Sequence, residues 1–143
     1  MVQGWSLDNG GLSFRILAPA PDATIPARKI NDDSLVMSVT YGRTTALLEG
    51  DAEKEIERRI ATEQPAADLL KVAHHGSATS TIPELLAAVH PHFAVISVGT
   101  RNLDGHPLRE VLDRLEKSQV ITYRTDLDGA VTFYLDGKTV TSP

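Results

Sequence analysis

The chain has no cysteine, which removes disulfides, thiolate metal sites and a cysteine nucleophile together and leaves the redox compartment open. No run approaches the roughly 20 apolar residues that a membrane span needs. The opening Met1-Val2-Gln3-Gly4-Trp5 has neither the charged nor the apolar region of a signal peptide. Basic residues are in the minority, 14 Lys and Arg against 19 Asp and Glu, for a net charge of −5. Composition therefore gives no support to a module that neutralises nucleic-acid phosphates wholesale. No Gly-x-Gly-x-x-Gly or Walker loop follows an expected strand, which ranks a nucleotide-binding α/β domain last among the readings. Repeats, low-complexity tracts and linkers are also missing.

What remains is one soluble globular domain: 143 residues, 41% of them hydrophobic, are enough to bury a real core. Leu12, Phe14 and Ile16 alternate with Ser13 and Arg15 as in a strand. Residues 19–34, with Pro19, Pro21 and Pro26 and then Asn31-Asp32-Asp33-Ser34, read as a loop ending in a turn. Residues 35–41 and 44–49 form a hairpin about Gly42-Arg43. From Gly50 the pattern changes to alternation. Residues 52–60 are a charged helix with Ile56 and Ile60 on one face, and Asp51 stands where an N-cap would. Residues 68–73 are an apolar strand ended by His74-His75-Gly76-Ser77. A helix with Ile82, Leu85, Leu86 and Val89 in step follows, with Ser80 or Thr81 as its cap and Pro83 in its first turn. Residues 93–98 are a buried strand, 99–106 a polar loop, and Pro107 opens a third helix with Leu108, Val111, Leu112 and Leu115 in step. Strands over 120–124 and 130–135 and a last short strand, turned by Asp128-Gly129 and Asp136-Gly137, complete the chain.

This alternation makes neighbouring strands mostly parallel, and ligand sites in such sheets gather beyond the carboxyl ends of the strands. The polar groups at those ends are Asp51, then His74 and His75, then Asn102 and His106. All three clusters are expected on one rim. Adjacent histidines on an extended backbone point to opposite sides, so at most one of His74 and His75 binds a given metal through strand geometry alone. His90 and His92, in His-Pro-His, fall at the opposite edge and read as surface residues. Glu53, Glu55 and Glu57 read as a solvated helix face.

The same residues carry a family resemblance. Asn31-Asp32-Asp33-Ser34-Leu35-Val36, Leu47-Leu48-Glu49-Gly50-Asp51, Leu70-Lys71-Val72-Ala73-His74-His75-Gly76-Ser77, Ser97-Val98-Gly99, Asn102 through Gly105-His106-Pro107 and Tyr123-Arg124-Thr125-Asp126 occur in that order. Together they resemble the metallo-β-lactamase-like domain at the C-terminus of the ComEC-family DNA-uptake competence proteins. The match runs from about Leu12 to Gly137. Its specific part is the pairing of His-His-Gly-Ser with a later Asn-x-x-Gly-His-Pro.

The resemblance implies an α/β fold, the αββα sandwich of metal-dependent hydrolases, with Asp51 as a bridging ligand and His74, or else His75, as another. It implies that Asn31, Ser77 and Ser80 face substrate phosphate, and that Asn102 and His106 assist catalysis. The cofactor would be zinc or manganese and the substrate single-stranded DNA or another phosphoester. The setting would be a soluble, extracytoplasmic domain of a bacterial inner-membrane protein. Two departures stand out. The leading ligand cluster of the superfamily, His-x-His-x-Asp-His or His-x-x-x-Asp-His, is absent, since no histidine precedes His74. Glu49 also stands where relatives commonly carry Thr. The 143 residues are therefore expected to be a single partial domain, its C-terminal portion, holding metal weakly and having little or no activity alone. The competing expectation is an inactive assembly module that self-associates through an exposed apolar face and open sheet edge.

Overall fold

Strand β1 (Ser6–Asn9) turns back at Gly10-Gly11 into β2 (Leu12–Ala18), an antiparallel pair in register from Ser6–Arg15 to Asn9–Leu12. This computed structural model describes residues 2–20 and 30–142, so the proline-rich part of the expected loop, 21–29, lies outside the described residues. The chain resumes in a 3-10 turn (Ile30–Asp33) and enters the expected hairpin, β3 (Val36–Tyr41) and β4 (Thr44–Glu49). β3 pairs with β2 on its other side, with a bulge between Ile16 and Ala18.

From β4 to β7 every connection is a crossover. Helix α1 (Lys54–Thr62) leads to β5 (Leu69–Lys71), α2 (Pro83–Val89) to β6 (Phe93–Ile96) and α3 (Arg109–Lys117) to β7 (Ile121–Arg124). β4, β5, β6 and β7 pair in parallel, and the seven strands lie in the sheet in chain order. Right-handed crossovers that always step in the same direction put every connecting helix on the same face. The core shows this. Leu47, Leu70, Ala94 and Ile96 of the sheet cluster with Ile56 and Ile60 of α1, Leu85, Leu86 and Val89 of α2, and Val111 and Leu115 of α3. These are the helix stripes read from the sequence.

Side chains alternate across a strand, so the neighbours of those core residues point the other way. On that second face Phe14, Met37, Val39, Leu48 and Val95 are half-buried. Near one edge Phe133 meets Phe93 and Tyr123, with ring centroids 5.4 and 5.5 Å away. A one-turn helix, α4 (Thr125–Asp128), and a two-stranded ribbon of β8 (Tyr134–Leu135) and β9 (Val140–Thr141) end the chain. The described residues thus form an α/β unit with one mixed sheet and one helical layer. No helix among them is long and apolar enough to cross a membrane.

Local expectations need four corrections. Helix α1 begins at Lys54, after Glu53, so Asp51 is not its N-cap. The acidic stripe of α1 is not a solvated face, because Glu57 is fully buried and Glu53 half-buried. Neither Ser80 nor Thr81 caps α2. The Ser80 hydroxyl donates instead to the carbonyls of Ala73 and Ser77, and the backbone N–H groups of Thr81 and Ile82 go to Glu57. The expected strand 130–135 is reduced to its last two residues. β1, with Asn9-Gly10-Gly11 as its turn signal, was not expected from the pattern.

Candidate functional site

Parallel strands β4, β5 and β6 end at the same rim, and the loops that leave them meet there. Gly50 follows β4, and its carbonyl accepts the backbone N–H of His74 at 3.0 Å, which ties the first loop to the second. The second loop is a tight 3-10 turn (Ala73–Gly76) in which His74, His75 and Gly76 all have positive φ, 46°, 54° and 83°. The histidines are therefore not on extended backbone, and their divergence comes from the left-handed turn rather than from strand alternation. Gly76 is obligatory here: a Cβ on it would lie 2.5 Å from Pro107 Cβ. That close approach lets the third loop pack on the second, where the Leu108 N–H donates to the Gly76 carbonyl at 2.9 Å.

Each histidine faces a carboxylate from the segment after β4. His75 Nε2 lies 3.8 Å from Asp51 Oδ1, and His74 Nδ1 lies 3.9 Å from Glu53 Oε1. Their other contacts differ. His75 Nδ1 is 2.6 Å from the Ser97 carbonyl oxygen. A carbonyl only accepts, so Nδ1 carries the proton, and a neutral His75 presents the lone pair of Nε2 to Asp51. His74 stands edge-on to His106, with ring centroids 5.9 Å apart and planes 73° apart. A cavity of about 210 Å³ beside these groups is lined by His75, Val98, Gly99, Asn102, Asp104 and His106.

The rim expected from the sequence is therefore assembled, with Asp51, His74, His75, Asn102 and His106 together. Asn102 is occupied in holding its own loop. Its Nδ2 donates to the carbonyls of Gly99 and His106, and its Oδ1 accepts the His106 N–H at 2.7 Å. Asn31 donates to Glu53 Oε1 at 3.2 Å. Ser77 is buried with its hydroxyl 3.1 Å from that of Thr79, and Ser80 is fully buried, so both hydroxyls turn inward. His90 and His92 are exposed at the other end of the sheet, as the sequence indicated, with His92 Nδ1 3.7 Å from Asp68 Oδ1.

Two residues passed over in the sequence belong to this region. Glu53 is one. Lys71 is the other: at the end of β5, its ammonium donates to the carbonyls of Glu49 and Val72 at 2.8 and 3.1 Å. Burial lowers its pKa, opposed by the charges of Asp51 and Glu49. A lysine closing the apolar strand Leu69-Leu70 was the available signal. Beneath the rim, Glu49 is buried and neither carboxyl oxygen has a hydrogen-bond partner among the described residues. Burial raises its pKa well above the ordinary 4.5, and the nearby Glu57 carboxyl adds to the rise.

The donor set fits a divalent ion in part. A carboxylate and an imidazole lone pair 3.8 Å apart can share one ion, with the imidazole oriented by a carbonyl on its other nitrogen, as metal-bound histidines usually are. Among the described residues, however, no three His, Cys, Asp or Glu side chains converge as a ligand group. Further ligands would have to come from elsewhere.

No family model matches the chain. It is 40% identical over 125 residues to ComE operon protein 3 of Bacillus subtilis, an alignment covering 85% of this chain and 16% of that protein. Over 121 residues it is 38% identical to Recombination protein 2 of Haemophilus influenzae, covering 85% and 15%. Over 136 residues it is 33% identical to Competence protein ComA of Neisseria gonorrhoeae, covering 93% and 19%. The chain thus spans less than a fifth of the length of each of these relatives.

Proposed function

This chain belongs to the ComEC family of competence proteins through the segment it shares with them, and on that premise we propose that it is part of a metal-dependent phosphodiesterase that acts on DNA during uptake. The observation that carries the reading is the facing of His75 Nε2 and Asp51 Oδ1 across 3.8 Å. With Nδ1 committed to the Ser97 carbonyl, two electron-pair acceptors confront each other at a half-exposed place, an arrangement that a cation, a proton or a water donating to both relieves. Asp51 and His75 would hold the ion, with His74 beside them. Zinc or manganese bound there would generate hydroxide near neutral pH and offset the charge of an in-line displacement at phosphorus.

The remaining work falls to the chain itself. Asn102 holds the 99–106 loop so that His106 and the cavity stay next to His75. His106 would exchange a proton with the leaving or attacking oxygen, the usual role of a rim imidazole. Lys71 adds positive charge near Asp51 in a protein that is acidic overall. Single-stranded DNA is the proposed substrate class. The half-buried apolar face of the sheet is the surface on which the second sheet of an αββα sandwich would pack, bringing the missing ligand cluster.

The test is titration of the chain with zinc and with manganese by calorimetry, for the wild type, Asp51→Asn and His75→Ala. Weak binding is expected, reduced at least about tenfold (~1.4 kcal/mol) by either substitution. Binding unchanged in both variants overturns the site. A tightly held stoichiometric ion in the wild type overturns the view that the ligand set is incomplete.

A second reading is favoured by that same apolar face: an inactive assembly module that pairs with another copy of itself. Sedimentation that stays monomeric across concentration argues against it. A stable metal-free dimer supports it.

A further inference from the structure

The sequence places Glu53 in a solvated stripe, yet its carboxylate lies between Asn31 and His74 with only 12% of the side chain exposed. The facing nitrogen, His74 Nδ1, is shut off from solvent and has no hydrogen-bond partner among the described residues. A ring nitrogen in that position carries either a proton or a lone pair. A lone pair aimed at a carboxylate oxygen 3.9 Å away is repelled, and the burial of Nδ1 weakens the screening of that repulsion. An N–H there is attracted, and a small closing movement makes it a charge-assisted hydrogen bond. Asn31, donating to the same oxygen at 3.2 Å, holds that oxygen toward the ring.

We infer that Glu53 is a positioning residue that fixes His74 as the Nδ1–H tautomer and leaves the lone pair on Nε2. The two histidines then work as a matched pair. Each keeps its proton on Nδ1, His75 through the Ser97 carbonyl and His74 through the Glu53 carboxylate, and each offers Nε2. This deepens the proposed metal site, whose imidazoles must both be neutral and correctly protonated to ligate or accept a proton. It does not depend on a metal being bound.

The test is the ring ¹⁵N spectrum of His74 in the metal-free full chain, at a pH where the ring is neutral, since the two tautomers have distinct nitrogen shifts. The wild type is expected as Nδ1–H. Glu53→Ala is expected to revert to the Nε2–H form that free imidazole side chains favour, and Glu53→Gln, which keeps an acceptor but no charge, to fall between. An Nε2–H wild type, or the wild-type tautomer kept in both variants, overturns the inference. Should Glu53→Ala not fold, the wild type and Glu53→Gln decide it. Failure of the wild type to bind zinc or manganese in the titration above would strike the metal reading and leave this one standing, because the tautomer is read without metal.

Discussion

The Ile82 backbone N–H at the start of α2 donates to the buried Glu57 carboxylate of α1 across 2.8 Å, and the Thr81 N–H donates to its other oxygen at 2.6 Å. Backbone donors at a helix start normally go to a local Ser, Thr, Asp or Asn. Here a neighbouring helix supplies the acceptor, so the cap is also a joint between helices. Glu57→Ala would leave two buried N–H groups unsatisfied. A stability loss of about 2–4 kcal/mol is expected in urea unfolding, and a loss below measurement error would mean the joint is not used.

Burial pushes the Glu57 carboxyl up from the ordinary 4.5 to about 7, against the lowering effect of the Ile82 and Thr81 hydrogen bonds. A carboxyl whose folded pKa is raised holds its proton longer in the folded state than in the unfolded chain. Its contribution to stability is intact below about pH 4.5 and is lost as the pH rises toward 7. The full loss is on the order of 3 kcal/mol. Glu57→Gln, which cannot titrate, should flatten that part of the stability–pH curve. An unaltered slope in the variant would assign the pH dependence to other groups.

Gly76 and Pro107 touch at a place where no side chain fits. Gly76→Ala combines a positive φ of 83° with a steric clash, so a cost of about 2–4 kcal/mol is expected. Because the contact docks the 99–106 loop, amide exchange in that loop should rise as well. Destabilisation without faster exchange there would mean that the loop is held by Asn102 alone.

His90 closes α2 in a left-handed conformation, φ 50° and ψ 50°, where glycine is the favoured residue. His90→Gly should raise stability by about 0.5–1 kcal/mol. Zinc binding should be unaffected, since His90 is at the far end of the sheet from Asp51. A fall in zinc affinity would show that His90 takes part in metal binding.

The helices and parallel strands were readable because their signals are periodic. Ile56 and Ile60, and Leu85, Leu86 and Val89, keep helical step whatever surrounds them. The convergence of Asp51, His74, His75 and His106 was readable for a topological reason, since parallel strands put their ends together. What escaped depends on contacts between distant segments. Glu57 keeps helical step with Ile60 and Glu55 does not, but a carboxylate in that step reads as the rim of a solvated face until α2 is seen to pack there: the first is buried under Thr81 and the second pairs with Arg58 at the surface. Asp51 resembled a cap because the helix start was placed two residues early. Ser80 resembled another, but a buried hydroxyl takes the nearest free carbonyl, and the nearest belonged to Ala73.

The seven strands lie side by side in the order in which they occur in the chain. No strand has to slip between two that are already paired, so the sheet can grow at one edge as the polypeptide leaves the ribosome. Growth in that order would assemble the rim on a schedule. Asp51 and Glu53 come first, with the β3–β4 hairpin. His74 and His75 come to meet them once β5 has docked. The Ser97 carbonyl arrives only with β6, and the 102–106 loop is pinned last, as α3 closes over Gly76. Until β6 has docked, His75 has nothing to hold its Nδ1 proton, so a nascent chain that paused before β6 would carry both carboxylates and both imidazoles without the orientation that makes them a site.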